Sequence, residues 1–379
     1  MKKYYLSFAL FALIFTNCSK SEDSVDANGE KMEQPAVSAD YNLIVSKNGM
    51  LSGTLLLADS ETLGISEGES DFDPVSEPQL TFDEGKVLTL YSTKSPCSGT
   101  ISIYDHNNKS SKSLDAFTDL GTCELTALSL LNSGNRIYVG YDKKNATESL
   151  EHYLRILDIS GAEPVITDIS LDFSAVGMAF SNNRLFVLGL DDEGSKENKI
   201  TVFDAATNEK LYGNNLGFNA RTIFKNPNGN IIIGYDELHT TINSATFTFD
   251  FTNYGLETAP NFASSPTLKF ASDGKLYYAV NGGVNSTYDK IPAIYDFEAN
   301  SAVLFAYENF LTEAQRNFEF EIENTTLVQY DEVNELILVG YKKSGGEGKG
   351  GLLRIDAVSG PKVKGNIDLD GVPFAIYLD

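Results

Sequence analysis

The 379-residue chain has no tryptophan, so any broad, flat packing surface must come from its 23 phenylalanines and 19 tyrosines. Histidine is almost as scarce. His106, His152 and His239 stand far apart at no zinc-binding spacing, and no phosphate-binding loop is present. Basic residues are few: 29 Lys and Arg against 53 Asp and Glu leave a net charge of −24. Phosphate backbones need a basic face, and no Lys/Arg block follows the extreme N-terminus, which argues against a nucleic-acid partner. Residues 6–15 form an apolar run too short to cross a bilayer. There are only three cysteines, at 18, 97 and 123.

What the chain has in quantity is one repeated phrase. An alternating apolar run ends in aspartate and is followed by turn-forming residues, as in KITVFD ending at Asp204 and then AATNEK. The same unit closes at Asp59, Asp105, Asp158, Asp250, Asp296 and Asp356. An aspartate opening a turn accepts hydrogen bonds from backbone N–H groups two and three residues on. Seven such units, each made only of short strands and recurring every ~40–50 residues or somewhat more, predict an all-β fold: a seven-bladed β-propeller of four-stranded blades. In that geometry the repeated aspartates sit far from the axis as turn caps, too dispersed to share a metal ion.

Strand runs such as NRIYVGYD from Asn135, NRLFVLGLD from Asn183 and NELILVGY from Asn334 each follow a tight Asn/Gly turn, which supplies the positive φ that hairpins require. Shorter inner runs precede those turns: LTALSLL, VGMAFS, RTIFKN, TLKFAS and TTLVQY. Labelling strands A to D from axis to rim, the first repeat opens on a B strand, YNLIVSK, and the chain finishes on a spare A strand, VPFAIYLD. The economical expectation is that this C-terminal strand completes the first blade and closes the ring, removing an open edge. Residues 41–379 then form one propeller domain.

In a four-stranded meander the A–B and C–D turns lie on one face and the B–C and D–A loops on the other. Here the first set is short throughout. The second is long, including ELHTTIN from Glu237, taken with His239 as a B–C loop, and the D–A connection 309–324. Function is expected on this elaborated face. Its candidate ligand-binding residues are Lys94, Tyr141, Lys143, Arg221, Tyr235, Tyr288, Arg316, Tyr341 and Lys342, whose cationic and aromatic character suits a small anionic or aromatic ligand. The alternative is solvated lysines and blade-packing tyrosines. Cys97 in a B–C loop and Cys123 in the next D–A loop fall on the same face, and the expectation is a disulfide between them. The acidic stretches 67–73 and 191–193 lack EF-hand spacing, so bound Ca²⁺ is not favoured over solvated carboxylates, and no cofactor is expected. No catalytic residue is read from the sequence, although carboxylates assembled across blades remain open as acid–base groups.

Residues 1–17 read as a secretory signal, with Lys2 and Lys3 before the apolar run. Residues 15–18, Phe-Thr-Asn-Cys, resemble a lipobox, which implies lipidation at Cys18. Residues 18–40 are polar and acidic and read as a tether. The Ser-Lys-Ser-Glu-Asp segment at 19–23 resembles the signal that sends Bacteroidota lipoproteins to the cell surface. Together with the repeats, these features resemble Bacteroidota outer-membrane lipoproteins with propeller domains. The resemblance implies an outer-membrane, surface-exposed lipoprotein held to the membrane through its lipid alone. It also implies a non-enzymatic binding module that captures a ligand for, or docks on, an outer-membrane protein such as a TonB-dependent transporter. An extracellular propeller enzyme acting on glycans or esters, and a purely structural scaffold, are the alternatives.

Overall fold

A computed structural model describes residues 41–378, apart from 60–61, 96, 122–123, 192–193, 256–258, 263–264, 266, 346–347 and 358–359. The signal segment 1–17, Cys18 and the tether 18–40 lie outside the described residues, as does Cys123.

Seven antiparallel sheets form a ring, each with four strands in A–B–C–D order, and in blade 1 a short fifth strand, Val75–Ser76, also pairs with the C strand. Blade 3 is representative: Leu125–Ser133 (A), Arg136–Lys144 (B), Leu150–Asp158 (C) and Val165–Leu171 (D). Its B strand is buried over most of its length, whereas its D strand is mostly exposed. The B and C strands are covered on both faces by neighbouring blades and therefore read as almost continuous apolar runs. The D strand, at the rim, is free to be polar.

The ring closes as the sequence predicts. Val372–Leu378 pairs with Tyr41–Lys47, from Tyr41 opposite Leu378 to Ser46 opposite Val372, and supplies the A strand of blade 1. Side chains reinforce this seam. Tyr41 donates its hydroxyl to Asp331 at 2.5 Å, and the buried Arg354 donates to the carbonyl of Asp59. Blades pack closely enough to demand glycine at particular B-strand positions. A Cβ at Gly140 would sit 2.6 Å from the carbonyl oxygen of Ala175 in the next blade, and one at Gly340 would sit 2.7 Å from Pro373.

The turn-cap reading of the aspartates holds at five units. Asp105 accepts from the backbone N–H groups of Asn107 and Asn108, Asp204 from Ala206 and Thr207, and Asp296 from Glu298 and Ala299. Asp59 and Asp158 do the same for Thr62 and Ser160. Blade 5 corrects the sequence reading. Its C strand is Leu238–Ile242, and the turn that follows is capped by Asn243, which accepts from Ala245 and Thr246. Asp250 lies inside the D strand, Phe249–Asn253. His239 is therefore a buried strand residue, 2% exposed, and not part of a B–C loop. An amide oxygen accepts the same two bonds as a carboxylate, so the turn survives without an aspartate.

Candidate functional site

The most elaborate feature of the loop face is the connection between blades 6 and 7. It runs over residues 305–321 and contains a 3₁₀ turn, Tyr307–Asn309, and a π turn, Gln315–Glu319. One carboxylate ties it to the B–C loop of blade 6. Glu308 accepts from the Thr287 N–H at 2.7 Å, from the Thr287 hydroxyl at 2.9 Å and from Ser286 Oγ at 3.0 Å. Burial opposes its ionisation, but these donors outweigh it and hold the carboxyl below the usual range. Tyr288 packs edge-on against Tyr307, with ring centroids 5.1 Å apart, and Tyr307 shares a 2.7 Å hydrogen bond with Thr325. Arg316 lies against the Tyr288 phenol, whose pKa is raised by burial and partly brought back by that guanidinium. From this pinned loop pair, Val284 is fully exposed and Phe318 is 81% exposed.

Of the nine candidate ligand residues, only Tyr288 and Arg316 are brought together in this way. Lys94 pairs with Asp115 at 3.5 Å, Lys143 with Glu151 at 3.6 Å, Arg221 with Asp236 at 3.3 Å and Lys342 with Glu323 at 2.7 Å. The cations are thus neutralised locally and do not converge. Tyr141 is buried between Tyr153, stacked at 5.2 Å, and the edge of Phe117 at 5.0 Å. Tyr341 is fully buried over Gly351, and burial raises the pKa of Tyr235. These three tyrosines pack blades. Cys97 is buried and disulfide-bonded. In the acidic stretch 67–73, Asp71 pairs with Lys109 at 3.4 Å. Among the described residues, no group of three or more His, Cys, Asp or Glu gathers to hold a metal ion.

Two arrangements with the look of catalysis escaped the sequence reading. Ser174, Asp142 and His152 cluster between blades 3 and 4. His152 Nδ1 lies 2.8 Å from Asp142 and 3.2 Å from Ser174 Oγ, and Ser174 donates to Asp142 at 2.6 Å. A catalytic relay needs serine on one ring nitrogen and the acid on the other. Here both meet Nδ1, so the cluster is an interblade clamp. Residues 64–68, Gly-Ile-Ser-Glu-Gly, match the spacing of a nucleophile elbow. The elbow needs a strand-to-helix turn, whereas Leu63–Ile65 is the D strand of blade 1 and Ser66 Oγ accepts from the Gly68 N–H at 3.1 Å.

The seven A strands line an axial cavity of about 1400 Å³. Two ion pairs span its turn-face end: Lys269 of blade 6 meets Asp83 of blade 2 at 2.6 Å, and Lys225 of blade 5 meets the neighbouring Glu84. In its loop-face half, four A strands carry β-bulges. The register of blade 3 jumps across Leu128, that of blade 4 across Val176, that of blade 7 across Thr326 and that of blade 1 across Phe374. A bulge re-aims the extra side chain, and all four residues line the cavity.

No protein-family model matches the chain, and no curated protein matches it. Solved structures resemble it in fold. A puromycin hydrolase crystal structure is 9% identical with TM-score 0.50, covering 86% of this chain and 54% of that one, so this chain spans about half its length. The β-propeller domain of the Trilobed protease from Pyrococcus furiosus is 11% identical with TM-score 0.47, covering 86% of this chain and 98% of the domain. The extracellular domain of a putative hybrid two component system from B. thetaiotaomicron is 15% identical with TM-score 0.40, covering 90% of this chain and 48% of that one. At these identities the likeness is one of fold alone.

Proposed function

We propose that the chain is a non-enzymatic binding module, anchored to the outer membrane through lipid on Cys18 and exposed at the cell surface. Its loop face docks on an outer-membrane protein partner of the transporter type, to which it delivers a captured ligand. The observation that carries this reading is the Glu308-pinned loop pair of blades 6 and 7, which holds Phe318 and Val284 out into solvent. An exposed aromatic on an ordered loop costs solvation in isolation and is the kind of residue that anchors an interface. The lipid address comes from the lipobox-like residues around Cys18 and the acidic stretch after them.

The test is affinity purification of the intact lipoprotein from detergent-solubilised outer membranes. The expected result is a stoichiometric β-barrel partner with the wild-type chain, reduced at least ~10-fold with Phe318→Ser and Val284→Ser combined, as for loss of an interface anchor. Clean monomer from the wild-type chain, or equal recovery with the double variant, would overturn the proposal.

A further inference from the structure

The axial cavity has a chemistry of its own. Leu128, Val176, Thr326 and Phe374 are the extra residues at the bulges of four A strands, and all four line it. Three of the four are apolar, and Val176 is 37% exposed although it belongs to an inner strand. Apolar side chains turned towards a void lose packing contacts that a bound apolar group would restore. Two interblade ion pairs cross the turn-face end of the cavity.

At the loop-face mouth, Lys290 of blade 6 lines the cavity and forms no ion pair among the described residues. The candidate loop-face lysines Lys94, Lys143 and Lys342, by contrast, are each matched by an acid. Glu77 lines the cavity from the connection between blades 1 and 2, which leaves the blade 6 side cationic.

We propose that the axial cavity binds a small amphipathic organic anion, with its apolar or aromatic body against the bulge ring and its carboxylate or sulfonate head at Lys290. The proposal deepens the loop-face reading and rests on it for the face from which ligand enters.

The test uses two fluorescent probes of similar naphthalene body on the full chain: 8-anilinonaphthalene-1-sulfonate, which is anionic, and N-phenyl-1-naphthylamine, which is neutral. Both are expected to bind saturably at one site. Val176→Trp, which fills the ring from a solvent-facing position, is expected to abolish both, and Thr326→Trp on another wall to do the same. Lys290→Glu is expected to weaken the anion at least ~10-fold, the scale of losing one charge-assisted contact, and the neutral probe less than ~2-fold. Non-saturable binding, binding unaffected by both tryptophans, or equal loss of both probes in Lys290→Glu would overturn the proposal. The Phe318→Ser and Val284→Ser variant is expected to bind both probes normally, so failure of the docking reading and failure of the cavity reading are separable.

Discussion

Burial disfavours the charged form of both His106 and His239. His106 is stacked on Tyr377, with centroids 3.5 Å apart, and meets the edge of Tyr104 at 4.3 Å. Neither of its ring nitrogens has a hydrogen-bond partner among the described residues. Burial pushes its pKa down to about 4, against the pull of Asp105 and with help from Lys86 and Lys269. His239 is ringed by Tyr254, Phe262, Tyr295 and Phe297, and burial alone lowers it to about 4. The unfolded chain protonates these rings near pH 6.5, well before the folded one does. As pH falls from 6.5 to 4 the unfolded state binds more protons, and stability declines through that window. The expected loss is roughly 3 kcal/mol from His239 by pH 4, taking each pKa unit as about 1.4 kcal/mol. Denaturant melts at pH 7, 5.5 and 4 should show this decline, and His239→Phe should reduce it; equal wild-type and variant slopes would contradict the assignment. Below pH 4 the turn-capping Asp105, Asp158 and Asp204 add a separate loss. Their folded pKa values are depressed by hydrogen bonds, so their stabilisation disappears as pH falls through those values.

At the level of the elements, the connection 305–321 is tied to the B–C loop of blade 6 through the Glu308 carboxylate. Glu308→Ala removes the acceptor of the Thr287 and Ser286 bonds and leaves those donors to find water. Hydrogen exchange over 282–288 and 305–321 should quicken at least ~10-fold, the factor for ~1.4 kcal/mol of local stability. The blade strands should be unchanged. Unchanged exchange in both segments would show that the Tyr288–Tyr307–Thr325 contacts hold the loop without Glu308. This lock was only half legible in the sequence. The length of the connection and Arg316 were visible, but Glu308 was not, because its partners belong to the B–C loop of blade 6. The same reason explains the cations. Lys342 looks free in sequence, yet its partner Glu323 comes from the neighbouring strand. Turn chemistry was legible wherever aspartate supplied it. In blade 5 Asn243 replaces aspartate, and a reading keyed to Asp slid past it to Asp250. The bulges at Leu128, Val176, Thr326 and Phe374 were invisible, because one extra residue in a short apolar run leaves no mark on its alternation.

At the scale of the whole molecule, the fold was readable because repetition and closure are sequence-wide properties. Seven units and one spare A strand admit few other arrangements, and the paired ends bear this out. The ring offers three distinct surfaces to a partner. The loop face carries Phe318 and Val284 on a pinned platform. The rim exposes Val165, Leu211, Phe251 and Val303 from the D strands of four consecutive blades. The turn face carries the exposed Val333 between the A and B strands of blade 7. Apolar exposure alone does not choose among them; the proposed docking on the loop face rests on the lock there, which orders Phe318 and Val284 before any partner arrives. Site-specific photocross-linking in intact cells separates the three directly. With benzoylphenylalanine placed singly at positions 318, 251 and 333, this account predicts a discrete high-mass adduct from 318 and none from 251 or 333. Adducts from 251 or 333 without one from 318, or no adduct at all, would contradict it.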